Sequence, residues 1–134
     1  MKKLMFVLGT LVLGALLTAF AVSGPGPFDD VVKALKQGDT NGLSRYLDNN
    51  VEINVTGKSD SYSKAQAEII LKDFFGKNSV KTFEIIHKGE ASNGSSQFGV
   101  GNMVTTSGTK YRTTFRLKKK GNTFVLTELR FDNK

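Results

Sequence analysis

The 134-residue chain contains no cysteine and a single histidine. Without cysteine it forms no disulfide, and it cannot carry the lipid that bacterial lipoproteins attach to a cysteine at their cleavage site. One histidine with no cysteine partner and no histidine–carboxylate spacing gives no metal centre, and no cofactor is expected. The Gly-x-Ser-x-Gly elbow of serine hydrolases and the phosphate-binding glycine loop are also missing, as are internal repeats and low-complexity tracts. These absences remove the chemistries that a sequence announces most readily.

What is present begins with an export pattern. Met1-Lys2-Lys3 gives a positive start, and Leu4 to Leu17 is apolar apart from Gly9, Thr10 and Gly14. Ala19-Phe20-Ala21 supplies the small-x-small pattern of signal peptidase sites. This divides the chain into a signal peptide over 1–21, a linker over 22–27 and a domain over 28–134. Ser23-Gly24-Pro25-Gly26-Pro27 favours cleavage, being an extended linker rather than a helix flank. The alternative is an uncleaved membrane anchor, because the apolar run to Val22 approaches the length that spans a bilayer. The expected location is the periplasm or the extracellular space, with no stable membrane span after cleavage. Without Lys2 and Lys3 the 19 basic residues fall to 17 against 12 acidic ones, a net charge of +5.

Periodicity places the elements. Phe28, Val31, Val32 and Leu35 fall on one helical stripe that Gly38 closes. Asp29 and Asp30 stand in its first turn, where the helix dipole favours negative charge. A second short helix after Asp39 or Thr40 turns Leu43, Tyr46 and Leu47 to one side. Val51, Ile53 and Val55 alternate as a half-buried strand, and Gly57 to Ser61 is a polar stretch. Ser63-x-x-Gln66 is a capping box that opens the main helix, with Ala67, Ile70, Leu71 and Phe74 as its stripe and Gly76 as its stop.

Four strands follow, separated by Asn93-Gly94, Ser107-Gly108 and Gly121-Asn122. Phe83 and Ile85 mark one face of the first, and strict parity adds His87 to it. In the second, Phe98, Val100, Asn102 and Val104 share a face, with Gly99 and Gly101 on the other. That bare face lets the sheet bend or another element approach. Tyr111, Thr113, Phe115 and Leu117 oppose Arg112, Thr114, Arg116 and Lys118 in the third. The last, Phe124 to Phe131, is apolar on both faces by simple alternation, with Phe124 and Leu126 on one and Val125, Leu129 and Phe131 on the other. Such a strand is central in its sheet or pressed against a partner subunit.

The run Ala34-Leu35-Lys36-Gln37-Gly38-Asp39, followed by Leu43 and Leu47, resembles the opening of nuclear transport factor 2-like domains. The stretch Tyr62 to Phe75 with its closing Phe74-Phe75, and the ending Leu129-Arg130-Phe131, are similar to a family of short secreted bacterial proteins known as domain of unknown function 4783. The resemblance covers about residues 28 to 132. It implies an α+β cone in which helices pack on a curved, mainly antiparallel sheet. It also implies a pocket between helices and concave face, and frequent homodimers through the sheet.

The candidate pocket residues are Tyr46, Tyr62, His87, Asn102 and Tyr111, and a small apolar or anionic ligand is the expected occupant. Ketosteroid-isomerase-like enzymes need a carboxylate base and acidic donors, and none of these tyrosines matches such a motif position. Asp60 and Glu84 are the available carboxylates, Glu84 on the solvated side of its strand. No catalytic residue is therefore assigned. Arg112, Arg116, Lys118, Lys119 and Lys120 form a basic hairpin that either meets an anionic partner or simply keeps the strands soluble. Nucleic acid is not an expected partner, because the patch lacks interleaved exposed aromatics. The leading expectation is an exported bacterial protein that binds through a pocket or to another protein without catalysis. The alternative is a small cofactor-free enzyme of ketosteroid-isomerase or dehydratase type.

Overall fold

The computed structural model describes residues 26–134, so the signal peptide and most of the linker lie outside the described residues. Helix α1 (Pro27–Gln37) starts with proline at its first turn beside Asp29 and Asp30 and ends at Gly38, whose φ of 62° is the left-handed closure expected of glycine. It buries Val31, Ala34 and Leu35. Helix α2 (Thr40–Ser44) is shorter than expected. The Tyr46 carbonyl accepts the Leu126 amide, which draws the chain into the sheet, so Leu47 opens strand β1 (Leu47–Val55) instead of extending a helix.

Strand β2 (Lys58–Ser63) occupies what the sequence presents as a polar stretch. Thr56 (φ 50°) and Gly57 (φ 92°) make a two-residue turn with positive φ at both positions, which matches the twist of a hairpin. The Gly57 amide also donates to Asn54 Oδ1 at 3.0 Å. Backbone pairing with β1 is therefore enough to make a strand of residues with little apolar alternation. Helix α3 (Lys64–Lys77) has the expected capping box, with both Ser63–Gln66 bonds present. It runs past Gly76 to Lys77, and the Asn78 side chain donates to the Phe74 carbonyl at 3.0 Å to close it.

Strands β3 (Val80–Glu90), β4 (Ser96–Thr105), β5 (Lys110–Lys120) and β6 (Thr123–Asn133) complete a six-stranded sheet in the order β2-β1-β6-β5-β4-β3. Only the β1–β6 pair is parallel. The fold is thus α+β, helices against a curved and mostly antiparallel sheet.

Two of the bulges in the sheet decide which side chains of β6 and of the end of β3 face the helices. Phe115 opposes Leu129 and Leu117 opposes Leu126, so one residue of β6 is skipped between them. The skip brings Phe124, Leu126, Leu129 and Phe131 to the same inner face and leaves Val125 on the outer one. The two apolar faces read from alternation are therefore one, and β6 is central in the sheet. In β3, Ile85 opposes Gly101 whereas His87 opposes Val100, so Ile86 is the extra residue. His87 accordingly lies on the face opposite Phe83 and Ile85, contrary to its sequence parity.

The glycine face of β4 is the inner one. A Cβ on Gly99 would lie 2.6 Å from the Phe115 ring and 3.1 Å from that of Phe28, and one on Gly101 would lie 2.5 Å from Phe83. The missing side chains are what let these rings settle onto the sheet. Phe74 stacks on Phe131 with centroids 4.1 Å apart, and Phe75 and Tyr111 meet it edge-on. Aromatic packing between helices and sheet therefore occupies the middle of the cone.

Candidate functional site

Concave space remains at the end of the sheet where β3 turns into β4. The first turn of α1 contributes Phe28 and Asp29, the end of β3 contributes Lys88 and Glu90, and the start of β4 contributes Gln97. They line a groove of about 430 Å³. Its geometry follows from the Ile86 bulge. Beyond that residue the even-numbered positions turn inward, so Lys88 lies opposite Gly99 and Glu90 opposite Gln97 on the concave face. Without Cβ at Gly99, Phe28 comes close to the strand and stands 5.0 Å from Phe115.

The polar groups of the groove are not spent on one another. The Lys88 ammonium stands 5.9 Å from the centre of the Phe28 ring, within reach of its negative face. Among the described residues, ion pairs join Lys77 to Asp73, Lys120 to Asp48 and Arg130 to Asp132, so Lys88, Asp29 and Glu90 have no charged partner within 4 Å. The Gln97 Oε1 atom is buried and accepts no hydrogen bond. A second open space of about 470 Å³ continues along the flank of α1, past Val32 and Lys36 on one side and Ile85 and His87 on the other.

The five pocket candidates taken from the sequence do not converge. The Tyr46 hydroxyl donates to Asp30, and that carboxylate, with burial, raises the tyrosine above its ordinary pKa. Tyr62 sits on edge strand β2 opposite Val51, half-buried against the core. Tyr111 is buried, and its hydroxyl donates to Asn78 Oδ1 at 3.0 Å. His87 is exposed and borders the flank groove. Asn102 is on the outer face between Glu84 and Arg112, its Oδ1 buried without a partner.

The basic hairpin also divides. Arg112, Arg116 and Lys118 follow one another on the outer face, opposite Asp132, Glu128 and Val125 of β6. Lys119 opposes Phe124 instead. Lys120 donates to Asp48 Oδ1 at 3.0 Å and thereby holds that carboxyl below the usual carboxylate range. Lys88 and Glu90 escape a sequence reading because strict alternation puts them on the solvated side. Only the bulge turns them inward, and nothing in the apolar pattern of Ile85-Ile86 marks which residue is the extra one.

Among the described residues no helix is long and apolar enough to cross a membrane, and no group of three or more acidic, histidine or cysteine side chains could hold a metal ion. No curated protein matches the chain. A family protein from Bacteroides ovatus ATCC 8483 is 31% identical, with a TM-score of 0.73 over 78% of this chain and 93% of its own. One from Bacteroides uniformis ATCC 8492 is 27% identical, with a TM-score of 0.74 over 79% and 95%. A nuclear transport factor 2-like protein of unknown function from Shewanella baltica OS155, 12% identical, shares the fold with a TM-score of 0.58 over 80% of this chain and 87% of its own. The family model for these Bacteroides proteins matches residues 28–132, and the chain belongs to that family, the domain of unknown function DUF4783.

Proposed function

We propose that the protein is an exported bacterial binding module that takes a small ligand, without catalysis, in the groove between the start of α1 and the β3–β4 end of the sheet. The observation that carries this reading is a groove of about 430 Å³ whose Lys88, Asp29 and Glu90 have no charged partner within 4 Å among the described residues. Charges of both signs left unpaired along an open groove fit a ligand that supplies their counter-charges. The hydroxyls that an isomerase-type mechanism would need support the non-catalytic reading, since Tyr46 and Tyr111 donate to Asp30 and Asn78 on different elements. A thermal-shift screen with amino acids, sugars, sterols and lipids tests it. A saturable rise in melting temperature that Lys88→Met abolishes is expected, and a flat response to every class contradicts the reading. Export rests on the Met1 to Ala21 pattern. N-terminal sequencing of the periplasmic form should begin at Val22, and a membrane-bound product retaining Met1 contradicts it.

A second observation supports a homodimer through the outer sheet face. The helices pack on the inner face, yet β4 turns Phe98, Val100 and Val104 outward, each half-buried. Around them Glu84, Glu128 and Asp132 alternate with Arg112, Arg116 and Arg130, a mixture that can pair with its own copy across a two-fold axis. Light scattering at micromolar concentration should report a dimer that Val100→Glu dissociates. A monomer for the parent chain contradicts the assembly.

A further inference from the structure

The groove's polar groups have a composition that selects among ligand classes. Two of them are acceptors, the Asp29 and Glu90 carboxylates. A third feature acts in the same sense, because the Phe28 ring already faces a cation, the Lys88 ammonium. Against these stands one donor of positive charge, Lys88 itself, which has no carboxylate within 4 Å among the described residues. An ammonium group on the ligand satisfies the acceptors, and a carboxylate on the same ligand gives Lys88 its counter-ion. A simple amine would meet the repulsion of a chain that keeps a net charge of +5 without Lys2 and Lys3, whereas a zwitterion carries no net charge. The volume of about 430 Å³ is within the range of small-molecule sites, ~300–1,000 Å³.

We infer that the groove binds a free α-amino acid, with its ammonium held by Glu90 and Asp29 and its carboxylate by Lys88. The side chain of the ligand extends along the α1 flank, where Val32 and Ile85 offer an apolar wall. The inference rests on the binding-module reading and gives its ligand a chemical class.

Titration of ¹⁵N-labelled protein with L-leucine, N-acetyl-leucine, glucose and octanoate tests it. Leucine should move the amides of Phe28, Asp29, Lys88, Glu90 and Gln97 saturably, and N-acetyl-leucine, which lacks the ammonium, should not. Glu90→Gln lies at the exposed rim and keeps the fold. It should weaken leucine binding about tenfold, as loss of a charge-assisted bond does. Equal binding of leucine and N-acetyl-leucine overturns the inference. So does the absence of a saturable shift with leucine at millimolar concentration. If glucose or octanoate moves the groove amides while leucine does not, the ligand class is wrong and the binding module stands. Silence of these amides towards all four compounds removes both.

Discussion

Glycines 99 and 101 decide how closely aromatic rings settle onto the sheet. A methyl group at Gly101 would lie 2.5 Å from the Phe83 ring and 2.7 Å from the Glu84 carbonyl oxygen, and a backbone atom cannot swing aside. Gly101→Ala should therefore destabilise the protein by ~1–3 kcal/mol, the usual cost of overpacking a core. Gly76, helical and open to solvent at its Cβ position, is the control. Gly76→Ala should stabilise by ~0.5–1 kcal/mol, and urea titrations of the two variants read the contrast. Phe74 is buried against Phe131, so Phe74→Ala should cost ~3–5 kcal/mol in the same assay. A loss under ~1 kcal/mol would mean that α3 faces another way.

The Asp48–Lys120 contact sets a pH dependence. Lys120 lowers the Asp48 pKa in the folded state, chiefly through its hydrogen bond. A carboxyl with a lowered folded value stabilises the protein above its unfolded pKa and loses that contribution as pH falls through the folded one. Lys120→Met should accordingly be slightly less stable than the parent at neutral pH, and the gap should close in acid. Because the pair is largely exposed, the effect should be small. Urea midpoints at the two pH values check the sign.

At the scale of elements, the sequence makes the helices and the last four strands legible because their patterns repeat over several residues. The stripe from Ala67 to Phe74, the Ser63–Gln66 box and the Tyr111 to Leu117 alternation each survive in the structure. Single-residue insertions are not legible. One bulge in β6 gathers Phe124, Leu126, Leu129 and Phe131 on one face, and one in β3 exchanges His87 for Lys88 on the concave side. Shifting register by one residue reverses every side chain beyond it, so the site lay beyond the reach of alternation while the fold did not. Strand β2 was hidden for a different reason: it is an edge strand held by backbone pairing, with Tyr62 as its one half-buried residue. Its amides should exchange with solvent much faster than those of central β6, which hydrogen exchange followed by NMR measures. Equal protection of the two would contradict the strand order.

At the scale of the molecule, the inner and outer sheet faces differ in what they leave uncovered. The inner face is filled by aromatic packing except at the β3–β4 end, where a groove keeps Lys88, Glu90 and Gln97 unpaired. The outer face bears apolar residues of β4 among alternating charges, suited to a second copy. A ligand in the groove and a partner on the outer face can therefore be held together, since they occupy opposite sides of the sheet. Hydrogen–deuterium exchange, with and without a compound that raises the melting temperature, tests this assignment most directly. The account predicts slowed exchange at the start of α1 and from His87 through Phe98, with β5 unchanged. Slowing confined to β5 and β6, or spread evenly over the chain, would contradict it.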